Sequence, residues 1–454
     1  MPFLYSGRIL IADLNSQTTE ERAFDESFIE ENLGGALAGQ TLYEEFQGDD
    51  PLVISTGPFT ATMFPAGALG VITGKSPITG KLSHAPLVLM NGMDLKLTGF
   101  DFIVIKGKAE NPVYFWLHDE IADIQDASGL WGRDTWETTE TIRKDLGEDL
   151  IQVLTIGTAG EKGRNSAQVI SNYWGTGDKW GFGKVFGDKK LKAIASRGLG
   201  LIEVAHPDEF VKKANSLKSK IKNGNIAGKN GIMDFCASIG AEPAKNWIAP
   251  VLHRYKACFA CPYNCNTFLK YNENPKIIAM DGVEEPGFLM TDIASAIALK
   301  KAGLSADDAG KVLELCARLG IEPTCASGEV VKSGAKDFSS AKKAVEALLD
   351  KDIENTSPYK MNWGDDAGSF ESSFSPWPPL KPLFSDFGIG SDKEKNSSWW
   401  KRRNSLSYIL GICPIFSLMS PEMGENDMLE FIKSGLDIDR GEGFLDETVG
   451  KLKI

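Results

Sequence analysis

The sequence predicts an α+β chain, with a β-rich N-terminal domain followed by mostly α-helical domains. Three observations carry this. Short runs of branched and aromatic residues, broken by Gly and Pro roughly every eight to twelve residues, fill the first 200 positions. Apolar residues then recur at spacings of three and four, as at Ala309, Val312, Leu313, Cys316 and Leu319. Between 352 and 400 Ser, Pro, Asp and Trp crowd together, and Pro376-Trp377-Pro378-Pro379 excludes helix interior. The expected division is residues 1–204 as a β-rich domain, 205–351 as a helical domain, and 352–454 as an irregular connection leading into a C-terminal helical part.

The elements follow in order. Arg8–Asp13 reads as a short apolar strand, and Pro51–Pro58 as another closed by Gly-Pro. The runs Asp101–Gly107 and Val113–Leu117 suggest a hairpin. The character changes near Ala205-His206-Pro207, where Pro207 with Asp208 and Glu209 marks a helix start with acid in its first turn. Ser305 with Asp308 three residues on predicts an N-cap. Residues 352–400 read as a long surface connection, and helix resumes around Met428–Ser434. No repeat of fixed period and no low-complexity tract is present.

The chain has 454 residues, 42% hydrophobic and 24% charged, enough to bury a core without disulfides. A net charge of −13 argues against nucleic acid or an anionic membrane as a general partner. Lys401-Arg402-Arg403 is a local basic spot and reads as a solvated turn. No secretory signal and no apolar stretch of about 18 residues is found, so a soluble cytoplasmic protein without membrane insertion is expected.

The chemistry lies in the cysteines. There are seven: Cys236, Cys258, Cys261, Cys265, Cys316, Cys325 and Cys413. An odd count without a secretory signal is not a disulfide framework. Cys258, Cys261 and Cys265 fall within eight residues, spaced so that a loop entering a helix would converge three thiolates on one small object. Soft thiolates at that spacing suit an iron–sulfur cluster. A [4Fe–4S] cluster needs a fourth ligand, and spacing leaves the choice open. Cys316 lies on an apolar helical stripe and reads as core. Cys236 and Cys325 carry no clear signal. Cys413, between Gly411-Ile412 and Pro414, occupies an irregular spot where a side chain can be aimed. Structural zinc would favour a second Cys-x-x-Cys pair, which is lacking.

Beyond the cysteines, the chain resembles the aldehyde ferredoxin oxidoreductase family of tungsten-pterin enzymes. The segments that carry the resemblance are Leu33-Gly34-Gly35, Ser55–Thr60, Lys75–Gly80, Leu95–Asp101, Asp126–Gly132, Ile156–Glu161 and Lys190–Ala195. Their order and spacing make the match specific. The resemblance implies a β-rich domain cradling a bis-pterin tungsten (or molybdenum) site, then two helical domains. It also implies that Cys258, Cys261, Cys265 and the late Cys413 hold one [4Fe–4S] cluster.

At the pterin-facing positions the sequence departs from the family. Where the family has Asn-Ser-Gly-Gly stands Pro86-Leu87-Val88-Leu89, which offers bulk in place of open backbone. A family arginine falls on Leu69, which cannot pair with phosphate. The Ala-Gly-Arg-Gly-Gly stretch falls on Gly177-Asp178-Lys179-Trp180-Gly181, leaving Gly181, Gly183 and Gly187 as the remnant of a phosphate-binding run. Two Asp-x-x-Gly-Leu motifs become Ala317–Glu322 and Tyr408–Cys413, each without its leading acid. Glu285 is a candidate for the family's catalytic acid, although the register there is ambiguous. His84, His118, His206 and His253 lie outside the family's histidine region. The chain is shorter than typical members, mainly between residues 350 and 404 and at the C-terminus.

The functional expectation is a family-fold protein that keeps one [4Fe–4S] cluster for low-potential electron transfer, as a subunit serving ferredoxin or another redox subunit, without requiring catalysis of its own. Two alternatives stand beside it. One is an active tungsten or molybdenum enzyme interconverting aldehyde and carboxylic acid. The other is a scaffold paired with a longer paralogue in an oligomer, with Trp377, Trp399 and Trp400 at the interface.

Overall fold

The computed structural model describes every residue except 1, 239–243, 272–275, 279–283, 287, 291, 352–360, 363–368, 378–380, 383, 442 and 454. Two six-stranded sheets built on one plan occupy the first 200 residues. The first contains β1 (Arg8–Asp13), β2 (Thr18–Ala23), β3 (Leu52–Thr56), β4 (Gly70–Lys75), β5 (Leu82–Leu87) and β6 (Phe102–Lys106), in the order β2-β1-β6-β3-β4-β5. The second contains β7 (Val113–His118), β8 (Ile121–Asp126), β9 (Gln152–Thr155), β10 (Ile170–Ser171), β11 (Trp174–Gly175) and β12 (Leu191–Arg197), in the order β8-β7-β12-β9-β10-β11.

Each sheet is a hairpin, a helical connection (two helices in the first sheet, one in the second), three successive antiparallel strands, a further helix, and a last strand that returns parallel to the first. In the first sheet β6 runs parallel to β1, with Ile9 opposite Phe102. In the second, β12 runs parallel to β7, with Ile194 opposite Phe115. The repeat is one of connectivity, so it leaves no fixed period in the sequence.

The pleat divides each strand between two cores. Ile9, Ile11, Val53, Phe102 and Val104 face the helix Gly35–Glu45 and the helical remainder. Leu10, Leu52, Ile54, Ile103 and Ile105 face the second sheet, meeting Phe115, Leu117, Leu154 and Ile194.

The expected hairpin between residues 101–107 and 113–117 does not form. β6 lies inside the first sheet between β1 and β3, whereas β7 pairs with β8 and β12 in the second. The hairpin partner of β7 is its next neighbour, through Asp119 and Glu120, both with positive φ (44° and 65°). Two consecutive left-handed residues match the twist of a tight two-residue turn.

The helical remainder largely follows the sequence pattern. The helix Pro207–Lys222 starts with Pro207 in its first turn. The helix Ala306–Leu319 is capped by Ser305, whose hydroxyl accepts from Asp308 N at 3.1 Å, and it buries Cys316. The helix Glu425–Leu436 spans the predicted Met428–Ser434.

Four expectations change. An antiparallel sheet of β13 (Leu252–Lys256), β14 (Asn266–Leu269) and the strand Phe288–Met290 interrupts the helical region. Lys401-Arg402-Arg403 is no solvated turn: it lies within the helix Lys393–Leu410, and Arg403 is buried. Residues 371–377 are not a surface connection, since Phe374, Ser375 and Trp377 are buried beside β5. Trp400 is also buried in its own domain, so neither it nor Trp377 offers the interface face expected of it. Among the described residues no helix is long and apolar enough to cross a membrane.

One buried ionic group ties the sheets to the helical part. Lys179 Nζ donates to Asp292 (2.8 Å), Glu322 (2.5 Å) and Thr324 (2.6 Å). Glu322 also caps the helix Pro323–Ser333 by accepting from Thr324 N and Cys325 N. The neighbouring carboxylates hold the Lys179 ammonium well above its ordinary range, and Lys179 in turn holds the Asp292 carboxyl below its own. Lys179→Met leaves two buried carboxylates without their cation and should lower unfolding free energy by about 3–5 kcal/mol, read from denaturant midpoints. Because the Asp292 carboxyl is depressed in the fold, its contribution is complete above about pH 4. It is lost as pH falls below that value, so the gap between wild type and K179M should narrow in acid.

Candidate metal centre

The Cys-x-x-Cys-x-x-x-Cys run is the loop of a β-hairpin. β13 ends at Lys256 and β14 begins at Asn266, so the loop does not enter a helix as its spacing suggested. Within it Cys261 N donates to Cys258 O at 3.2 Å, and Ala260 takes a left-handed φ of 54°. That turn brings the first two thiols together. Asn266 Nδ2 lies 3.3 Å from Cys258 Sγ and Tyr263 N lies 3.4 Å from Cys261 Sγ, so both sulfurs face N–H donors.

Cys413 arrives from the other end of the chain. The helix Lys393–Leu410 stops at Gly411, which has φ of 81°. Leu410 O accepts from Phe59 N at 3.0 Å, and Gly411 O accepts from Leu69 N at 3.1 Å. Cys413 N then donates to Ala66 O at 3.1 Å. Pro414 begins the next short helix, Pro414–Met419, and the Cys413 sulfur faces the N–H groups of Ile415 and Phe416.

Two groups hold the helix Pro414–Met419 in place, Tyr263 from the cysteine loop and Arg403 from the helix Lys393–Leu410. The Tyr263 hydroxyl donates to Met419 O (2.9 Å) and lies 2.7 Å from Ser420 Oγ. Its ring packs between Phe235 and Phe416. Arg403 donates to the carbonyls of Ser417 and Met423 at 3.1 and 2.9 Å.

Cys258, Cys261, Cys265 and Cys413 thus line one cavity of about 50 Å³, walled by Leu69, Val88, Leu89, Ile232 and Trp377. Every pairing among the four sulfurs is close enough to be felt electrostatically. Burial pushes all four thiols up, Cys413 to about 12; neighbouring sulfurs add to the rise at Cys261, Cys265 and Cys413, whereas Asn266 and Lys256 temper it at Cys258. Four thiolates in so apolar a space require a compensating positive centre.

Among the described residues, no three His, Cys, Asp or Glu side chains are gathered tightly enough for a single metal ion. The four sulfurs instead surround a space, as a cage taking one thiolate per iron requires. The donor set, the cavity and the N–H groups facing sulfur all fit a [4Fe–4S] cluster. At its outer edge Phe259 is 44% exposed, and Lys218 and Lys256 lie near Cys261 and Cys258.

The remaining candidates stand elsewhere. Cys316 is core, and Cys325 is half-buried in the first turn of the helix Pro323–Ser333. The Cys236 side chain lies outside the described residues. Gly181, Gly183 and Gly187 serve close backbone packing: a Cβ on Gly183 would meet Gln168 O at 2.7 Å, and one on Gly187 would meet Gly160 O at 1.9 Å. Glu285 falls on the short strand Glu284–Pro286, paired with Lys276–Ile278, and its side chain lies outside the described residues.

The histidines are scattered. His84 is buried with Nδ1 2.9 Å from Thr73 Oγ1, and burial lowers its pKa to about 3. His206 pairs with Asp437 at the surface, His118 lies beside Asp119 and Asp123, and His253 is exposed. Sequence reasoning missed Asn266, Tyr263 and Trp377. The first two adjoin the cysteine run and carry the polar groups it needs, whereas nothing local marks Trp377.

Comparison with known proteins agrees with this architecture. Residues 9–198 match the family described as "Aldehyde ferredoxin oxidoreductase, N-terminal domain". The chain is 32% identical over 316 residues to the tungsten-containing aldehyde ferredoxin oxidoreductase of Pyrococcus abyssi (strain GE5 / Orsay), covering 62% of this chain and 51% of that protein. It is 28% identical over 394 residues to the protein of the same name from Pyrococcus furiosus, covering 79% and 62%. The aliphatic sulfonate oxidoreductase, WOR-like subunit, of Pyrococcus furiosus is 28% identical over 318 residues, covering 59% and 50%. The chain spans about half to two-thirds of the length of these relatives. A chain of the solved "Active site complex BamBC of Benzoyl Coenzyme A reductase in complex with 1,5 Dienoyl-CoA" superposes with a TM-score of 0.74 over 99% of this chain and 88% of that one. At 17% identity that likeness is one of fold.

Tyr263→Phe removes the hydroxyl bonds that join the cysteine loop to the Cys413 helix. It should cost about 1–2 kcal/mol of stability, read by thermal or denaturant unfolding, with the fold retained.

Proposed function

On the premise that residues 9–198 form an aldehyde ferredoxin oxidoreductase N-terminal domain, we propose that this chain holds one [4Fe–4S] cluster on Cys258, Cys261, Cys265 and Cys413 and works as a low-potential electron-transfer subunit. The observation that carries this reading is the convergence of four cysteines from two distant segments on one apolar cavity. Among its described lining residues the only polar side chain besides the thiols is Asn266. Such a site is equipped to hold charge and not to move protons.

When bound, the cluster supplies one-electron chemistry. The residues of the chain set its conditions. Asn266 and the Tyr263 N–H face the Cys258 and Cys261 sulfurs and would help balance the negative charge of a bound thiolate-ligated cluster. Leu69, Val88, Leu89 and Ile232 keep water from the inner side. The outer edge, where Phe259 is exposed, is the side from which a bound cluster would exchange electrons with ferredoxin or another redox subunit. Lys218 and Lys222 of the helix Pro207–Lys222 make that edge locally positive in a chain of net charge −13, which suits an acidic partner. The relative named as a subunit and the fold neighbour solved as a complex support an assembly. Relatives named as tungsten-containing keep a second reading in view, an active tungsten enzyme interconverting aldehyde and acid.

Anaerobically purified protein should contain about four iron and four sulfide per chain. Cys258→Ala and Cys413→Ala should each remove most of it, and Cys316→Ser should leave it unchanged. Iron-free wild-type protein would defeat the reading, and about one tungsten or molybdenum per chain would favour the enzyme.

Lys218→Glu should slow electron exchange with an acidic ferredoxin several-fold at low salt, and the difference should shrink as salt rises. Stopped-flow bleaching of the cluster reads this. A rate unaffected by the charge reversal would place the exit elsewhere.

A further inference from the structure

We propose that this chain fills its own pterin cradle, with the Asp178 carboxylate in the place of a phosphate and the rings of Phe374 and Trp377 in the place of the pterin. Residues 371–377 act as an internal plug.

The Gly177–Gly181 stretch and Tyr408 are among the positions at which the sequence departs from a phosphate-binding pattern, and the plug touches both; Pro86, a third, lies close to Gly177. Its backbone runs beside β5: His84 N donates to Ser373 O at 2.8 Å, and Ser375 N donates to His84 O at 2.9 Å. The Ser375 hydroxyl donates to Gly177 O at 2.6 Å, and Trp180 Nε1 donates to Ser373 O at 3.1 Å. The Phe374 ring lies 4.7 Å from that of Tyr408 and 5.6 Å from that of His84. Trp377 presses on Gly177 so closely that a Cβ there would lie 2.8 Å from the indole and 3.0 Å from Pro86. A space that rejects a methyl group has no room for a fused ring system.

The donors a phosphate would need are also taken. The Asp178 carboxylate accepts from Trp180 N at 2.9 Å and Val169 N at 3.3 Å, and it faces the N–H groups of Phe182 and Gly183. An anion supplied by the chain therefore sits on converging backbone N–H groups, the arrangement that otherwise binds phosphate. The adjacent cation, Lys179, is consumed by Asp292 and Glu322.

Trp377 faces two ways, lining the four-cysteine cavity as well as packing on Gly177. In this second role, which rests on the proposed cluster, the plug replaces the cofactor as the inner wall of the metal centre.

The test uses the full chain made in a host that supplies tungsten, molybdenum and pterin. Released, oxidised pterin is measured by fluorescence, and both metals by mass spectrometry. The expected result is neither pterin nor metal near one per chain. Stoichiometric pterin overturns the plug, whether or not iron is present. Hydrogen exchange reads the plug directly: the Ser375 amide should be protected like those of β5, and rapid exchange there would also overturn it. Trp377→Ala should speed loss of iron to a chelator several-fold, and an unchanged rate would overturn the role of Trp377 as the inner wall. If the wild type lacks iron, the cluster reading fails, and the pterin and exchange results still decide the plug.

Discussion

The close approach of two backbones decides where everything else in the site can stand. A Cβ on Gly57 would lie 2.3 Å from the Leu410 carbonyl carbon and the Gly411 nitrogen. One on Gly411 would lie 2.2 Å from Thr60 Oγ1, and one on Gly35 would lie 1.8 Å from Tyr408 O. Only glycine allows the end of the helix Lys393–Leu410 to seat on the first sheet at this distance, and Gly411 takes a left-handed φ that other residues resist. Cys413 lies two residues beyond that contact. Its position against the cysteine loop therefore follows from glycines some 350 positions upstream.

The sheets supply the rigidity behind this contact. Apart from its exposed edge strand β2, the first is buried on both faces, by the second sheet on one side and by helices on the other, so an inner strand cannot slip by one residue without exchanging its two cores. The loops that meet Leu410, Gly411 and Cys413 leave β3 and enter β4 of that sheet. A metal centre whose ligands come from distant parts of a chain needs such a support, because a small misplacement of one ligand is a large fraction of a bond length.

Electrostatics divides the interior into two kinds of site. Around Lys179 and Asp178 every charge is met by a charge or by N–H groups of the chain itself. Around the four cysteines burial opposes ionisation, and among the described residues only Lys256, beside Cys258, and Lys218, beside Cys261, set positive charge against the four thiols, so the rest of the balance is left for something bound. The two sites adjoin, and Trp377 is their common wall. The first site thus balances its own charges, and the second does not.

Local chemistry made much of this legible from residue order. The β-rich first half, the caps at Pro207 and Ser305, the core role of Cys316 and the three-cysteine run all rest on neighbours within a few positions. The residue types at Pro86, Leu69 and Asp178 were equally plain, because residue order alone supplies them. Long-range pairing was not legible. β6 and β7 are adjacent in sequence and belong to different sheets, and both runs are apolar enough to pair with many partners. Residues 371–377 looked like a surface loop because Pro and Ser dominate them, yet their fate depended on a groove beside β5 that exists only after the sheet has formed. The identity of the ligand residue types was a property of the sequence, but the meeting of Cys413 with Cys258, Cys261 and Cys265 required backbones from opposite ends of the chain to touch.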